Sequence, residues 1–173
     1  MSQPPATPSR PEDSRLFDAV KAVFNAEGWA YHAVPGRAVI QSGFEAHHTR
    51  VELHVQAFPE LNALSVVSES PLALPDPARR ERLAELLLRT DQTLTVGAFE
   101  MDWDAGRALF RVTNLFSSDA VDPAIVRGLV HTTILEMDRI SPLIVLLSQA
   151  EGPALAGIDL PALLSRMDLL PGD

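Results

Sequence analysis

Hydrophobic residues recur along this chain with two periods, one typical of helices and one typical of strands. The first helical run places its apolar side chains at Leu16, Phe17, Val20, Val23 and Phe24. Ser14 precedes this run as an N-cap residue, and Gly28 lies where a C-cap glycine is expected. The pattern therefore predicts a first helix over roughly residues 13–27.

Four extended segments follow the first helix. In Arg50–Phe58, apolar residues alternate strictly with polar ones, which is typical of an antiparallel strand with one face buried. The other predicted strands are Trp29–Val34, Ala38–Glu45 and Ala63–Ser68. Turn residues such as Pro35-Gly36 separate the segments, so the pattern predicts a β-meander.

The second half of the chain reads as helix, hairpin, helix. Asp76-Pro77 and Asp122-Pro123 each combine an N-cap residue with a proline at the first helical position. Between the two helices, Val96–Phe116 forms a hairpin with its turn at Asp104-Ala105-Gly106. Pro142 falls inside the last helix and is expected to kink or break it. The element order predicts an α+β fold, an antiparallel sheet with the first and third helices on one face.

These elements divide the chain into three parts. Residues 1–11 contain four prolines among small polar residues and are expected to be a disordered tail. Residues 12–148 hold one α+β domain. Residues 149–173 form a C-terminal tail, with a short helix expected over Leu160–Met167 and Asp159 as its cap.

Two helical stretches carry more apolar residues than one buried stripe requires. Each is apolar on every side, which indicates burial from more than one direction. The residues concerned are Leu86, Leu87, Leu88, Leu143, Ile144 and Leu147. Either the C-terminal tail covers them within the same chain, or they form a subunit interface, and we take them as candidate interface residues.

Charge and composition narrow the class of function. Of the 173 residues, 23 are acidic and 14 are Lys or Arg, so the formal net charge is -9, which opposes direct binding to nucleic acid. The chain has no cysteine, which excludes disulfides and thiolate metal sites. The N-terminus lacks an apolar core, and no apolar run is long enough to span a bilayer. We expect a cytoplasmic protein that does not enter membranes.

Two groups of residues could carry chemistry, and each has a simpler structural interpretation. His47, His48 and His54 form the densest histidine group, but the first two fall in a predicted loop, whereas a metal site needs converging ligands. Glu100, Asp102 and Asp104 alternate along the hairpin and could act as acid and base or bind a hard cation. An aspartate-rich tight turn and ion pairs with Arg107 or Arg111 explain them more simply. No catalytic, cofactor-binding or metal-binding residue is assigned, and no cofactor is expected.

Short motifs occur at fixed spacing in the hairpin and the last helix. They are a strand with Gly-x-Phe-x-x-Asp, an acidic glycine turn, a second strand ending in valine and a helix with Asp-x-x-x-Pro, at Gly97, Phe99, Asp102, Gly106, Val112, Asp138 and Pro142. With the order of elements, these motifs resemble those of the YbjN family of bacterial proteins over roughly residues 14–148.

The resemblance implies a fold similar to class I type III secretion chaperones, which are small acidic proteins that dimerise, bind partner polypeptides and lack enzymatic activity. We therefore expect a non-enzymatic protein-binding module, chaperone-like or regulatory, that acts as a homodimer and binds an unidentified partner protein. The alternative is a small-molecule sensor or a hydrolytic enzyme that uses the hairpin carboxylates.

Overall fold

The computed structural model describes residues 14–117 and 121–167, so the predicted N-terminal tail over residues 1–11 lies outside the described residues. The helices are α1 (Arg15–Ala26), α2 (Pro77–Asp91), α3 (Pro123–Gln149), α4 (Gly152–Ala156) and α5 (Leu160–Met167). The strands are β1 (His32–Ala33), β2 (Val39–Glu45), β3 (Arg50–Phe58), β4 (Ala63–Glu69), β5 (Ala98–Asp102) and β6 (Arg107–Leu115). This order confirms the predicted α+β class.

The six strands form one antiparallel sheet in the order β1-β2-β3-β4-β6-β5. The segment predicted as a strand over Trp29–Val34 is a strand only at His32–Ala33, which corrects that prediction. Its first residues do not pair with β2, because the backbone N–H of Trp29 donates to the Phe24 carbonyl at the end of α1. The Ser42 hydroxyl donates to the Ala30 carbonyl at 2.7 Å.

One face of the sheet carries the core, and we call it the inner face. Val55 on β3 lies between Ile40 on β2 and Val66 on β4, and Val66 pairs in turn with Val112 on β6. All four side chains are buried in one cluster with the apolar faces of α1, α2 and α3. α3 packs across β3, β4 and β6, and α1 packs on α3. Burying this face fixes the strand register, since a one-residue slip would expose it.

The predicted helix starts are confirmed by their caps. The Asp76 carboxylate accepts the Arg79 N–H at 3.1 Å, and the Asp122 carboxylate accepts the Ala124 N–H at 2.8 Å. α1 ends at Ala26, and Gly28 follows its C-cap residue Glu27 with a φ of 68° that glycine adopts without strain, as predicted.

Pro142 does not break α3, which runs without interruption from Pro123 to Gln149. Proline has no N–H, so it forms no backbone hydrogen bond to the residue four positions before it, at a cost of about 3 kcal/mol. The turns after Pro142 are held by Leu143, Ile144 and Leu147, each of which is buried. Burial of an aliphatic side chain contributes about 1.5–3 kcal/mol, so the three together outweigh the missing bond. None of the described helices is both long enough and apolar enough to span a membrane.

The described part of the C-terminal segment packs on the domain. Leu155 and Leu160 are buried in the same core as the sheet, and α5 contacts α2. Arg82 on α2 donates to the Ile158 carbonyl, which ties the two segments together. The expected short helix is present over Leu160–Met167, and Asp159 caps it by accepting the Ala162 N–H at 3.0 Å.

Candidate functional site

The structure changes the assignment of the candidate interface. Five of the six residues are buried in the chain's own core, with exposed fractions of 6% or less: Leu86, Leu87, Leu143, Ile144 and Leu147. They cannot contact another molecule while the chain keeps this fold. Their burial has an internal cause, because they belong to one core with the sheet, the neighbouring helices and the C-terminal segment, whereas Val145 and Leu146 of the same run are exposed at 38% and 37%. Leu88 is the exception, with 67% of its surface exposed.

The three histidines do not converge on one point, although the rings of His47 and His48 lie side by side with centroids 4.4 Å apart. His47 and His48 are exposed in the loop between β2 and β3, as predicted, while His54 lies on β3 within hydrogen-bond distance of the Gln41 amide (3.0 Å). Among the described residues, no group of three or more His, Asp or Glu side chains is placed to hold a metal ion.

The loop between β2 and β3 is held by a residue of α3. One carboxylate oxygen of Asp138 accepts the His48 N–H at 2.6 Å and the Thr49 N–H at 3.1 Å. This contact joins positions 90 residues apart. The Asp-x-x-x-Pro motif therefore has a structural role at its aspartate, which fixes the end of the β2–β3 hairpin against α3.

The hairpin carboxylates are engaged in structural contacts. The Glu100 carboxylate accepts hydrogen bonds from Nε and Nη2 of Arg111, at 2.7 and 3.1 Å, across the β5–β6 pair. This ion pair raises the pKa of Arg111. Asp102 accepts the Ala105 N–H at 3.0 Å and so closes the turn. These contacts correspond to the ion-pair and turn interpretation of the hairpin motif.

Another carboxylate lies at the edge of the sheet. Asp91, the last residue of α2, accepts the Phe99 N–H of edge strand β5 at 2.7 Å. Burial raises the pKa of Asp91, and the hydrogen bond from Phe99 opposes that rise. The Asp91 carboxylate therefore satisfies the Phe99 N–H, which would otherwise point outward from the sheet edge without a partner on a strand.

Arginines of the described chain are largely neutralised. Eight of them form ion pairs with glutamates: Arg50, Arg79, Arg82, Arg89, Arg107, Arg111, Arg127 and Arg139. The pKa of Arg50 is raised by its hydrogen bonds to Glu52 and Glu45. A phosphate group would have to compete with these carboxylates for the same donors.

The second face of the sheet, which we call the outer face, is open to solvent. On β3 its residues alternate with the buried ones and are exposed at Glu52, His54 and Gln56. The half toward the β2–β3 loop and the β5–β6 turn is charged and ion-paired. It includes Arg50 with Glu45 and Glu52, Arg107 with Glu69, and Arg111 with Glu100.

The other half of the outer face is uncharged, and we call it the uncharged patch. One row across the sheet consists of Phe58, Ala63 and Leu115, which are register partners on β3, β4 and β6. The next row consists of Val39, Gln56, Ser65 and Thr113. Leu61 lies in the turn before β4, directly after the exposed Glu60, which borders the patch. Leu115 and Leu61 have 71% and 67% of their surface exposed.

The uncharged patch is not visible in the sequence alone. Its members come from four strands and a turn, and each one alone is an ordinary strand residue. Only the register brings them into rows. In the sequence, the solvent-facing residues of each strand are charged at one end of the strand and uncharged at the other. Only the pairing of the strands shows that the uncharged ends lie side by side.

A shallow cavity lies beside this patch. It has a volume of about 160 Å³ and is lined by Ser14, Arg15, Leu16, Pro59 and Asn62. Pockets for small organic ligands typically measure about 300–1,000 Å³ and bring several polar groups together. The groups whose pKa is shifted, Arg50, Asp91 and Arg111, do not line the cavity.

Comparison with known proteins establishes the fold. No family model and no curated protein matches this chain. Among solved structures, YbjN from E. coli, a candidate transcription regulator, is similar, with a TM-score of 0.54 and 10% sequence identity. The match covers 73% of this chain and 91% of YbjN. The chain therefore has a YbjN-like α+β fold, as the sequence motifs indicated.

Proposed function

We propose that this protein is a non-enzymatic protein-binding module, chaperone-like or regulatory, that acts as a homodimer. The observation that carries the proposal is the uncharged patch. Apolar side chains grouped on an otherwise charged surface are a feature of protein interaction sites, and the exposed Leu61 and Leu115 lie here beside the half-buried Phe58. The fold-level likeness to YbjN, a candidate transcription regulator, agrees with a regulatory role. The chaperone-like role is proposed because the sequence motifs imply a fold similar to class I type III secretion chaperones.

The electrostatics favour a protein partner over nucleic acid. The chain has a net charge of -9, and eight described arginines are paired with glutamates. Binding to phosphates requires lysine and arginine side chains that can release counterions from the nucleic acid. If the protein is a regulator, we propose that it acts by binding other proteins rather than by binding DNA directly.

Two measurements test the proposal. Light scattering should give about twice the 18.8 kDa chain mass at high protein concentration. Ligands selected from a displayed peptide library should bind with a negative heat-capacity change and little salt dependence, because apolar burial drives the binding. A duplex DNA of mixed sequence, titrated in parallel, should show no measurable binding at physiological salt.

Leu88 supplies a surface variant for the same assay, since helix α2 is a second candidate for partner binding. Leu88→Gln should weaken binding of the selected peptides if they dock on α2, and Leu135→Gln is its control. Both leucines lie on helices with 67% of their surface exposed. DNA binding with a steep salt slope would contradict the proposal. So would turnover of a small substrate that Glu100→Gln abolishes.

A further inference from the structure

One edge of the sheet is only partly paired. β1 pairs with two of the seven residues of β2 and leaves its second half without a neighbour on that side. The Ala46 N–H, just after β2, donates to the Thr49 carbonyl on the β3 side. Backbone groups of an antiparallel strand point to alternate sides, so those of Gly43 and Glu45 point outward. Within the described part of the chain, the N–H and C=O groups of these two residues have no backbone partner.

The opposite edge of the sheet is less accessible to a further strand. There the Phe99 N–H of β5 donates to the Asp91 carboxylate, and α2 packs along β5. A strand edge with free backbone groups is a template for pairing with another chain. Between the two edges, the second half of β2 is therefore the better place for such pairing.

The inner face beside the open half of β2 is aromatic. Phe44 lies on the inner side of β2 and contacts Trp29 edge to face, with ring centroids 5.6 Å apart. Trp29 in turn contacts the ring of His131 on α3, at 5.5 Å. Phe44 and Trp29 are only half-buried where they pack against the core, so part of each ring remains exposed. An apolar side chain on an added strand would pack against these two rings.

The outer face beside the same edge is acidic. Glu45 and Glu52 share the guanidinium of Arg50, which leaves one net negative charge on the three side chains, and all three are more than half exposed. Gly43 pairs with Glu52 and has no side chain, so a residue opposite Gly43 has room beside these carboxylates. A basic residue is favoured there, and the net charge of -9 attracts a basic segment from a distance.

We propose that the open half of β2 binds an extended segment of a partner protein, in which basic and apolar residues alternate, as a seventh antiparallel strand. The inference rests on the proposed protein-binding function and names the kind of partner. Directly opposite residues of an antiparallel pair share one face of the sheet. The basic residues therefore lie opposite Gly43 and Glu45, with their N–H groups toward β2, and the apolar residues face Phe44 and Trp29. This site is separate from the uncharged patch, and its charge makes binding here weaken with added salt.

The test uses a defined probe, the acetylated and amidated hexapeptide Lys-Val-Lys-Val-Lys-Val, with the full-length chain. The chain has two tryptophans, so Trp103→Phe leaves Trp29 as the fluorescent reporter of binding. In this background, Gly43→Pro removes the outward N–H, and Gly43→Ala is the matched control that keeps it. Both substitutions place a Cβ against the flexible ends of Arg50 and Glu52. The dissociation constant should be about fivefold higher for Gly43→Pro than for Gly43→Ala, because one hydrogen bond is lost.

N-methylated probes test the same hydrogen bonds without altering the protein. Methyl groups on the lysine amides block the donors that face β2, so they should raise the dissociation constant about tenfold or more. Methyl groups on the valine amides, which face away from β2, should change it less than about twofold. The probe with glutamate in place of lysine should not bind, because its charges repel Glu45 and Glu52.

The outcomes separate this inference from the proposed function. Equal binding by Gly43→Pro and Gly43→Ala together with equal binding of the two methylated probes shows that the edge assignment is wrong. So does an absence of probe binding up to about 1 mM while peptides selected from the displayed library do bind. In both cases the protein-binding function stands if the selected peptides bind at another surface. Failure of the hexapeptide and of every library peptide to bind overturns the edge site and the proposed function together.

Discussion

The contact between Asp138 and the β2–β3 loop should be a measurable source of stability. Asp138→Ala removes an oxygen that accepts two backbone N–H groups, from His48 at 2.6 Å and Thr49 at 3.1 Å. A hydrogen bond to a charged group contributes about 1.5–3 kcal/mol. His48 is exposed and Thr49 half-buried, so water can replace the lost acceptor and the two bonds together contribute about 2 kcal/mol.

Alanine also favours the helix more than aspartate does, by about 0.5 kcal/mol. The net loss in free energy of unfolding should be about 1.5 kcal/mol. For a chain of this length that corresponds to a decrease in Tm of about 3–6 °C. In urea unfolding, the midpoint should decrease while the slope m stays the same.

Two further variants test whether the lost hydrogen bonds cause the loss of stability. Asp138→Asn keeps an acceptor oxygen but loses the charge, so it should fall between wild type and Asp138→Ala. Asp104→Ala is the control, because it removes one carboxylate from the exposed hairpin turn. Hydrogen exchange should accelerate at the amides of His48 and Thr49 in Asp138→Ala. Unchanged exchange there, with a midpoint equal to that of Asp104→Ala, would refute the reasoning.

Two other predictions concern the sheet edge and the C-terminal segment. Burial raises the pKa of Asp91, so the folded state holds its proton more tightly than the unfolded state, and this contribution to stability is lost as pH rises through the folded pKa. The control is Asp91→Asn, which keeps an acceptor for the Phe99 N–H but does not titrate. In urea unfolding, wild type should lose stability relative to this variant as pH rises from about 4 to 7. If the stabilities of the two proteins change with pH in parallel, the prediction is contradicted. Leu160→Ala should cost about 2–5 kcal/mol because the side chain is fully buried, and the half-buried Leu163→Ala should cost clearly less. Equal and small losses would mean that the C-terminal helix contributes little to the core.

Local patterns in the sequence determined the elements of this protein. The strict alternation over Arg50–Phe58 predicted a strand with those bounds, and the Asp-Pro pairs at Asp76 and Asp122 predicted two helix starts. Such signals depend on residues within a few positions of one another, because caps and periodicity are local. The hairpin turn and the α5 cap at Asp159 were predicted for the same reason.

Tertiary structure decided which surfaces are buried. The apolar run from Leu143 to Leu147 was compatible with a subunit interface or with cover by the same chain, and packing against the sheet and α2 buries most of it. Packing also decided the path of α3 through Pro142, since the later turns are held by contacts that are distant in sequence. The sequence alone could not weigh these non-local contacts against the local cost of a proline.

The uncharged patch depends entirely on the register of the sheet. Phe58, Ala63 and Leu115 become neighbours only because β4 pairs with β3 on one side and with β6 on the other. Asp138 likewise reaches the β2–β3 loop only after α3 packs across the sheet. Sequence periodicity assigns a residue to a face of its own strand, while the pairing of strands determines which residues share that face.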